Sequence, residues 1–128
     1  MKSIVEEKSY KFALRIIKLY KYLKENKRDY VLSKQILRCG TSIGANIKES
    51  SQAESTPDFI HKLCIALKET SETEYWICLL YDSDLIDKRS YNSIINDCKE
   101  ILKLLTSIIK TSRSNLKKLK SKTGIRQI

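Results

Sequence analysis

A chain of 128 residues is long enough to bury one core and too short for the covered sheet of a typical hydrolase. Three glycines and one proline supply too little turn chemistry for a many-stranded fold, so the composition predicts an all-α protein. The net charge of +10 is lopsided: residues 1–100 hold 17 basic and 15 acidic side chains, residues 101–128 hold 8 basic and none acidic, and this points to a polyanionic partner, with solubility as the plainer use of the same charge.

No window approaches the roughly 18 uncharged apolar residues of a membrane span, and the start MKSIVEEKSY carries acids where a secretory signal needs an apolar run. A cytoplasmic protein without membrane contact is the expectation. Cys39, Cys64, Cys78 and Cys98 lie 25, 14 and 20 residues apart, so no C-x-x-C pair exists to nucleate a metal or redox site. They read as small hydrophobes on helical stripes, with no metal and no cofactor.

Phe12, Ala13, Ile16, Ile17, Leu19, Tyr20 and Leu23 recur at three- and four-residue steps and predict a first helix from about Ser3 to Lys27. Its other side carries Lys8, Lys11, Arg15 and Lys18 beside Tyr22, a basic stripe with one aromatic that suits a phosphate backbone and a stacked base, or simply solvent.

The second stripe, Leu32, Ile36, Cys39, Gly40, Ile43 and Ile47, runs through GTSIG at 40–44, a match to the G-x-S-x-G of serine hydrolases. That motif needs a strand-to-helix turn and a nearby base. Here it falls inside a helix, and the single histidine, His61, belongs to the polar side of the next one, so Ser42 is not expected to be a nucleophile, nor the protein an enzyme. Glycine inside a helix costs about 1 kcal/mol relative to alanine, and two of them four residues apart predict a close helix contact.

In STPDFI, Thr56 is the expected N-cap, with Pro57 first in the third helix and Asp58 beside its positive end. The expected core stripe is Phe59, Ile60, Leu63, Leu67, Ile77, Cys78 and Tyr81. Thr70, Ser71 and Glu74 interrupt it, which predicts a structural polar layer of Asn46, Ser71 and Glu74, the carboxylate pairing with Asn46 or an arginine. Trp76, Leu79 and Leu80 fall off that stripe and form a surplus apolar face, a candidate subunit contact.

Asp87 caps the fourth helix, whose stripe Tyr91, Ile94, Ile95, Cys98, Ile101, Leu102, Leu105, Ile108 and Ile109 continues sparsely to Leu119. At 1.5 Å per residue this is about 50 Å, against about 37 Å for the first helix, so its basic end should project. The bundle is assigned to residues 1–120 and a basic, flexible tail to 121–128.

LSKQILRCGTSIGANIKES, DFIHKLCIALKETSETEYW and ILKLLTSIIKT resemble the four-helix-bundle family of 23S ribosomal RNA intervening-sequence proteins, over about Tyr10 to Thr111. The resemblance rests on the spacing of Gln35, Arg38, Ser42-Ile43, Asn46-Ile47 and Glu49. Ser50 and Asp84 stand where family members often have glycine. The resemblance implies an up-down-up-down antiparallel bundle assembled as a ring, commonly a homopentamer, in bacteria, similar in fold to the accessory variability determinant of diversity-generating retroelements, which works with a reverse transcriptase and binds nucleic acid.

Together these readings predict a non-enzymatic homo-oligomer that binds nucleic acid, RNA first, mainly electrostatically and with little sequence selectivity. Lys8, Lys11, Arg15 and Lys18, with Lys110, Arg113, Lys117, Lys118 and Lys120, are the expected phosphate contacts. The outward side of the second helix, Arg38, Ser42, Ala45 and Glu49, joins Trp76, Leu79 and Leu80 as the expected oligomer interface. The rival reading is a scaffold that docks a protein partner such as a polymerase or reverse transcriptase.

Overall fold

A computed structural model describes residues 3–127 of the protein, with side chains through Lys122. It consists of α1 (Ile4–Asn26), α2 (Leu32–Ser50), α3 (Thr56–Asp82) and α4 (Lys88–Gln127). No strand occurs among the described residues, so the all-α expectation holds. Ser3 caps α1 by accepting the Glu6 N–H at 3.2 Å. Asp87 caps α4 by accepting the Ser90 N–H at 2.7 Å, and that bond lowers the Asp87 carboxyl below its ordinary pKa of 3.8. The cap therefore favours the folded state above the carboxylate range and is lost as pH falls through the depressed value.

Cross-helix contacts set the topology. Gly40 lies against Ile16 and Gly44 against Ser9, which joins α2 to α1. Arg38 with Glu69 and Glu72, and Lys62 with Glu49, join α2 to α3. Arg113 meets Cys64 and Tyr91 meets Cys78 between α3 and α4, while Lys8–Glu100 and Arg15–Asp97 close α4 onto α1. In every pair the numbering rises on one helix as it falls on the other, the signature of an up-down-up-down antiparallel bundle. The α1–α4 seam is much the slightest of the four.

The glycines explain the close approach of α2 to α1. A Cβ on Gly40 would sit 2.8 and 2.9 Å from Ile16 Cγ1 and Cγ2, and one on Gly44 would sit 3.4 Å from the Ser9 carbonyl oxygen. Their lost helix propensity is thus offset by close approach of α1, above all at Gly40.

Along α3 the buried line is Ile60, Leu63, Ala66, Thr70, Thr73, Ile77 and Leu80, which corrects the expected stripe. Thr70 and Thr73 donate their hydroxyls to the Ala66 and Glu69 carbonyls, both at 2.7 Å, so they turn methyl groups to the core with no polar group unmet. Ser71 is exposed, Glu74 is half-buried, and Asn46 donates to its own helix at the Ser42 carbonyl, 2.9 Å away. The polar layer expected from Asn46, Ser71 and Glu74 is not assembled. Cys39 and Cys98 lie in the core instead, and burial pushes their thiols up to about 11 and about 12. Such thiols stay protonated and unreactive at neutral pH.

Two turns bound α3 with distinct local chemistry. Ser55, not Thr56, is the N-cap of α3: its backbone is extended and its hydroxyl accepts the Asp58 N–H at 3.2 Å. At the other end of α3, Asp84 is left-handed at φ 62°, with Asp84 N–H bonded to the Tyr81 carbonyl at 3.0 Å and Leu85 N–H to the Leu80 carbonyl at 2.9 Å. That is a Schellman stop, whose left-handed position suits glycine. Asp84→Gly is therefore expected to raise stability by about 1 kcal/mol, read as a higher thermal midpoint; an unchanged or lower midpoint counts against this account of the turn.

By the registers of Lys8 with Glu100 and Arg15 with Asp97, α4 has passed the start of α1 beyond about Ile109; from there Arg113 meets Cys64 of α3 and Leu116 packs against the core. Its backbone is helical to Gln127, past Lys120 where the bundle was expected to end. The side chains of 123–128, most of the expected tail, lie outside the described residues.

Candidate nucleic-acid interface

The basic side chains fall into two groups with different surroundings. Lys110, Arg113, Lys117 and Lys120 recur at three- and four-residue steps along the free end of α4, with Lys118 beside them, and all five are exposed. None forms an ion pair among the described residues; Arg113 points a guanidinium nitrogen at the Cys64 sulfur, 3.2 Å away. The stripe spans about 15 Å at 1.5 Å per residue, enough to follow several phosphates of one strand.

The α1 group is partly spent on the fold. Lys8 bonds Glu100 at 2.8 Å, which holds its ammonium above the ordinary lysine pKa of 10.5. Arg15 is bound by Asp97 and donates to the Ser93 hydroxyl at 2.9 Å. Lys11 and Lys18 are exposed and have no acidic partner among the described residues. In sequence all four look alike, because the acids that engage two of them lie more than eighty residues away.

Lys18 and Tyr22 border a cleft of about 850 Å³ where the C-terminal half of α1 faces the α3–α4 turn and the start of α4. Arg15, Lys27, Asp84, Asp87, Arg89, Ser90 and Ser93 are the rest of its polar lining, over a floor of Leu19, Ile86 and Ile94. The loose α1–α4 seam leaves this space unfilled. The alternation of apolar residues on α1 and α4 gave no sign of it; the signal lay in Lys27 and Arg89, at two helix ends brought together by the topology.

The expected oligomer surface is also divided. Arg38 is held by Glu69 and Glu72, Glu49 by Lys62 at 3.5 Å, and Ser42 donates to the Arg38 carbonyl at 2.7 Å. Ala45 is exposed and, with Ala13, Thr41 and Gly44, lines a shallow groove of about 360 Å³ between α1 and α2. Leu80 is fully buried and belongs to the core, which corrects its place on the surplus face. Trp76 and Leu79 are half-buried, Trp76 Nε1 is buried without a hydrogen-bond partner among the described residues, and Tyr75, 58% exposed, stands edge-on to the indole at 5.4 Å. Trp76 and Leu79 thus stay partly accessible beside Tyr75, without Leu80.

GTSIG lies wholly within α2. The pairs Glu49–Lys62 and Arg38–Glu69 put Ser42 opposite a point about six residues along α3 from His61, roughly 9 Å of rise away. His61 itself is exposed. The Ser42 hydroxyl is thus committed to a helix carbonyl, with no histidine beside it among the described residues. Among the described residues no three His, Cys, Asp or Glu side chains gather where a metal ion would be held, and no helix is long and apolar enough to cross a membrane.

A four-helix bundle with a long, basic last helix defines the class. The family model of the 23S rRNA-intervening sequence proteins matches residues 1–107, and the chain belongs to that family. A solved structure titled as a protein of unknown function from the S23 ribosomal protein family of Bacteroides thetaiotaomicron is 58% identical, with a TM-score of 0.83, over 84% of this chain and 99% of that one. No curated protein matches the chain. The expected family and fold are both upheld.

Proposed function

We propose that the protein is a non-enzymatic, homo-oligomeric RNA-binding bundle whose main phosphate-binding surface is the free end of α4. The observation that carries this reading is the row of five exposed cations from Lys110 to Lys120, without an acidic partner among the described residues and past the start of α1. The names of the family and of its solved relative, which refer to ribosomal RNA and to the ribosome, make RNA the favoured polyanion. Lys11 and Lys18 extend the surface, and Lys8 and Arg15 join it only by leaving Glu100 and Asp97. Contacts of this kind recognise backbone charge, so binding is electrostatic and weakly selective.

Titrating a labelled single-stranded RNA tests the reading. Affinity is expected to fall by two or more orders of magnitude between about 50 and 200 mM salt, as five released counterions require. Affinity indifferent to salt, or no binding at low salt, removes RNA binding and leaves the scaffold as the better account.

Self-association is the second part of the proposal, supported by the Tyr75–Trp76 pair, large aromatics left partly in water. Light scattering on the eluting protein should give a mass several times 14.9 kDa, five times it for the expected pentamer. Trp76→Ala should shift the population toward monomer, and because Trp76 also packs on the core, the exposed Tyr75→Ser is the cleaner variant. A wild-type mass of one chain at micromolar concentration would refute the oligomer.

A further inference from the structure

The cleft at the α1–α4 seam has a chemistry separate from the α4 stripe, and we infer that it holds a single unpaired ribonucleotide of a bound RNA. The inference rests on the RNA-binding reading only for the source of that nucleotide. At about 850 Å³ the cleft falls within the size range of small-molecule pockets. Its contents match the three parts of a nucleotide.

Lys18, Lys27 and Arg89 have no ion pair among the described residues, and they provide for the phosphate. Tyr22, 42% exposed, offers a ring face, and Leu19, Ile86 and Ile94 an apolar floor, for the base. Two carboxylates line the cleft, and they differ in availability. Asp87 is taken by the Ser90 N–H as the cap of α4, whereas Asp84 stands exposed with no capping role. An unengaged carboxylate in a basic cleft opposes phosphate, but it is the acceptor that ribose hydroxyls require. That combination favours a ribonucleotide over a deoxyribonucleotide and over phosphate alone, because the 2′-hydroxyl is the group by which a protein distinguishes RNA from DNA. Arg15 is excluded from the count, since Asp97 and Ser93 already hold it.

The test uses the full chain, with adenosine 5′-monophosphate, its 2′-deoxy counterpart and inorganic phosphate as probes, followed by amide chemical-shift perturbation. The ribonucleotide should shift residues of the cleft, between Arg15 and Lys27 and between Asp84 and Ile94, and bind about tenfold more tightly than the deoxy form, as expected for a hydrogen bond to a charged group. Lys27→Gln with Arg89→Gln should weaken both nucleotides about tenfold or more. Asp84→Gly, which keeps the left-handed turn, should abolish the preference for ribose while the fold remains intact. Shifts confined to the free end of α4, equal affinity for nucleotide and phosphate, or a ribose preference that survives Asp84→Gly would each overturn the inference. Its failure is separable from that of the wider reading: salt-dependent binding of long RNA without cleft shifts defeats the cleft alone, and cleft occupancy by the nucleotide without binding of long RNA supports the cleft and defeats RNA binding.

Discussion

Replacing Lys110, Arg113, Lys117, Lys118 and Lys120 together with glutamine is expected to lower RNA affinity at low salt by at least a hundredfold and to flatten its salt dependence. Each phosphate contact contributes about 0.9 to the slope of log affinity against log salt on duplexes and about 0.7 on single strands, so five lost contacts should remove roughly 3.5 to 4.5 from it. The fold should survive, because all five side chains are exposed and none is held by an ion pair among the described residues. Lys8→Gln with Arg15→Gln should have a far smaller effect, since Glu100 and Asp97 already neutralise those cations. The converse change, Asp97→Asn with Glu100→Gln, frees both and should strengthen binding. Equal losses from the α4 and α1 sets would show that the internal ion pairs do not compete with RNA.

The second large effect concerns the α1–α2 seam, where two glycines one turn apart should answer oppositely to alanine. Gly40→Ala places a methyl under 3.0 Å from both γ carbons of Ile16, a fully buried β-branched side chain with one strongly preferred rotamer in a helix. The strain can be relieved only by parting α1 from α2, and overpacking of this kind costs about 1–3 kcal/mol. Helix propensity returns up to about 1 kcal/mol, so a net loss of about 1 kcal/mol is expected, a few degrees in the thermal midpoint. Gly44→Ala meets only ordinary contact with Ser9 and should be neutral or stabilising by up to about 1 kcal/mol. Denaturant midpoints of the two variants decide the matter. A Gly40→Ala protein as stable as wild type would mean that the two helices do not approach as closely as described.

These examples also show what the sequence made legible. Helix positions followed from apolar periodicity and from Asp87 and Pro57, and the close approach at Gly40 and Gly44 followed from the cost of glycine in a helix. The α3 stripe was misassigned because threonine was read as polar; the i−4 bonds of Thr70 and Thr73 hide their hydroxyls and move the buried line onto Leu80. The basic residues of the candidate site were legible as a list and not as an electrostatic surface. Whether a lysine is free depends on what the topology sets opposite it: Lys8 and Arg15 meet acids from α4, whereas Lys117, Lys118 and Lys120 have passed the start of α1. Lys27 and Arg89 were missed since neither belongs to a periodic face, and only the α3–α4 turn brings them to one cleft.

The most direct test of the central claim is ultraviolet crosslinking of the protein to a bound single-stranded RNA, with the adducts mapped by mass spectrometry of peptides. RNA held by the free end of α4 should leave adducts on peptides beyond Ile109, with a second set around Lys18 and Tyr22, and both should fade as salt is raised. Adducts confined to the α2–α3 face around Arg38 and Glu72, or none at low salt where binding should be strongest, would contradict it.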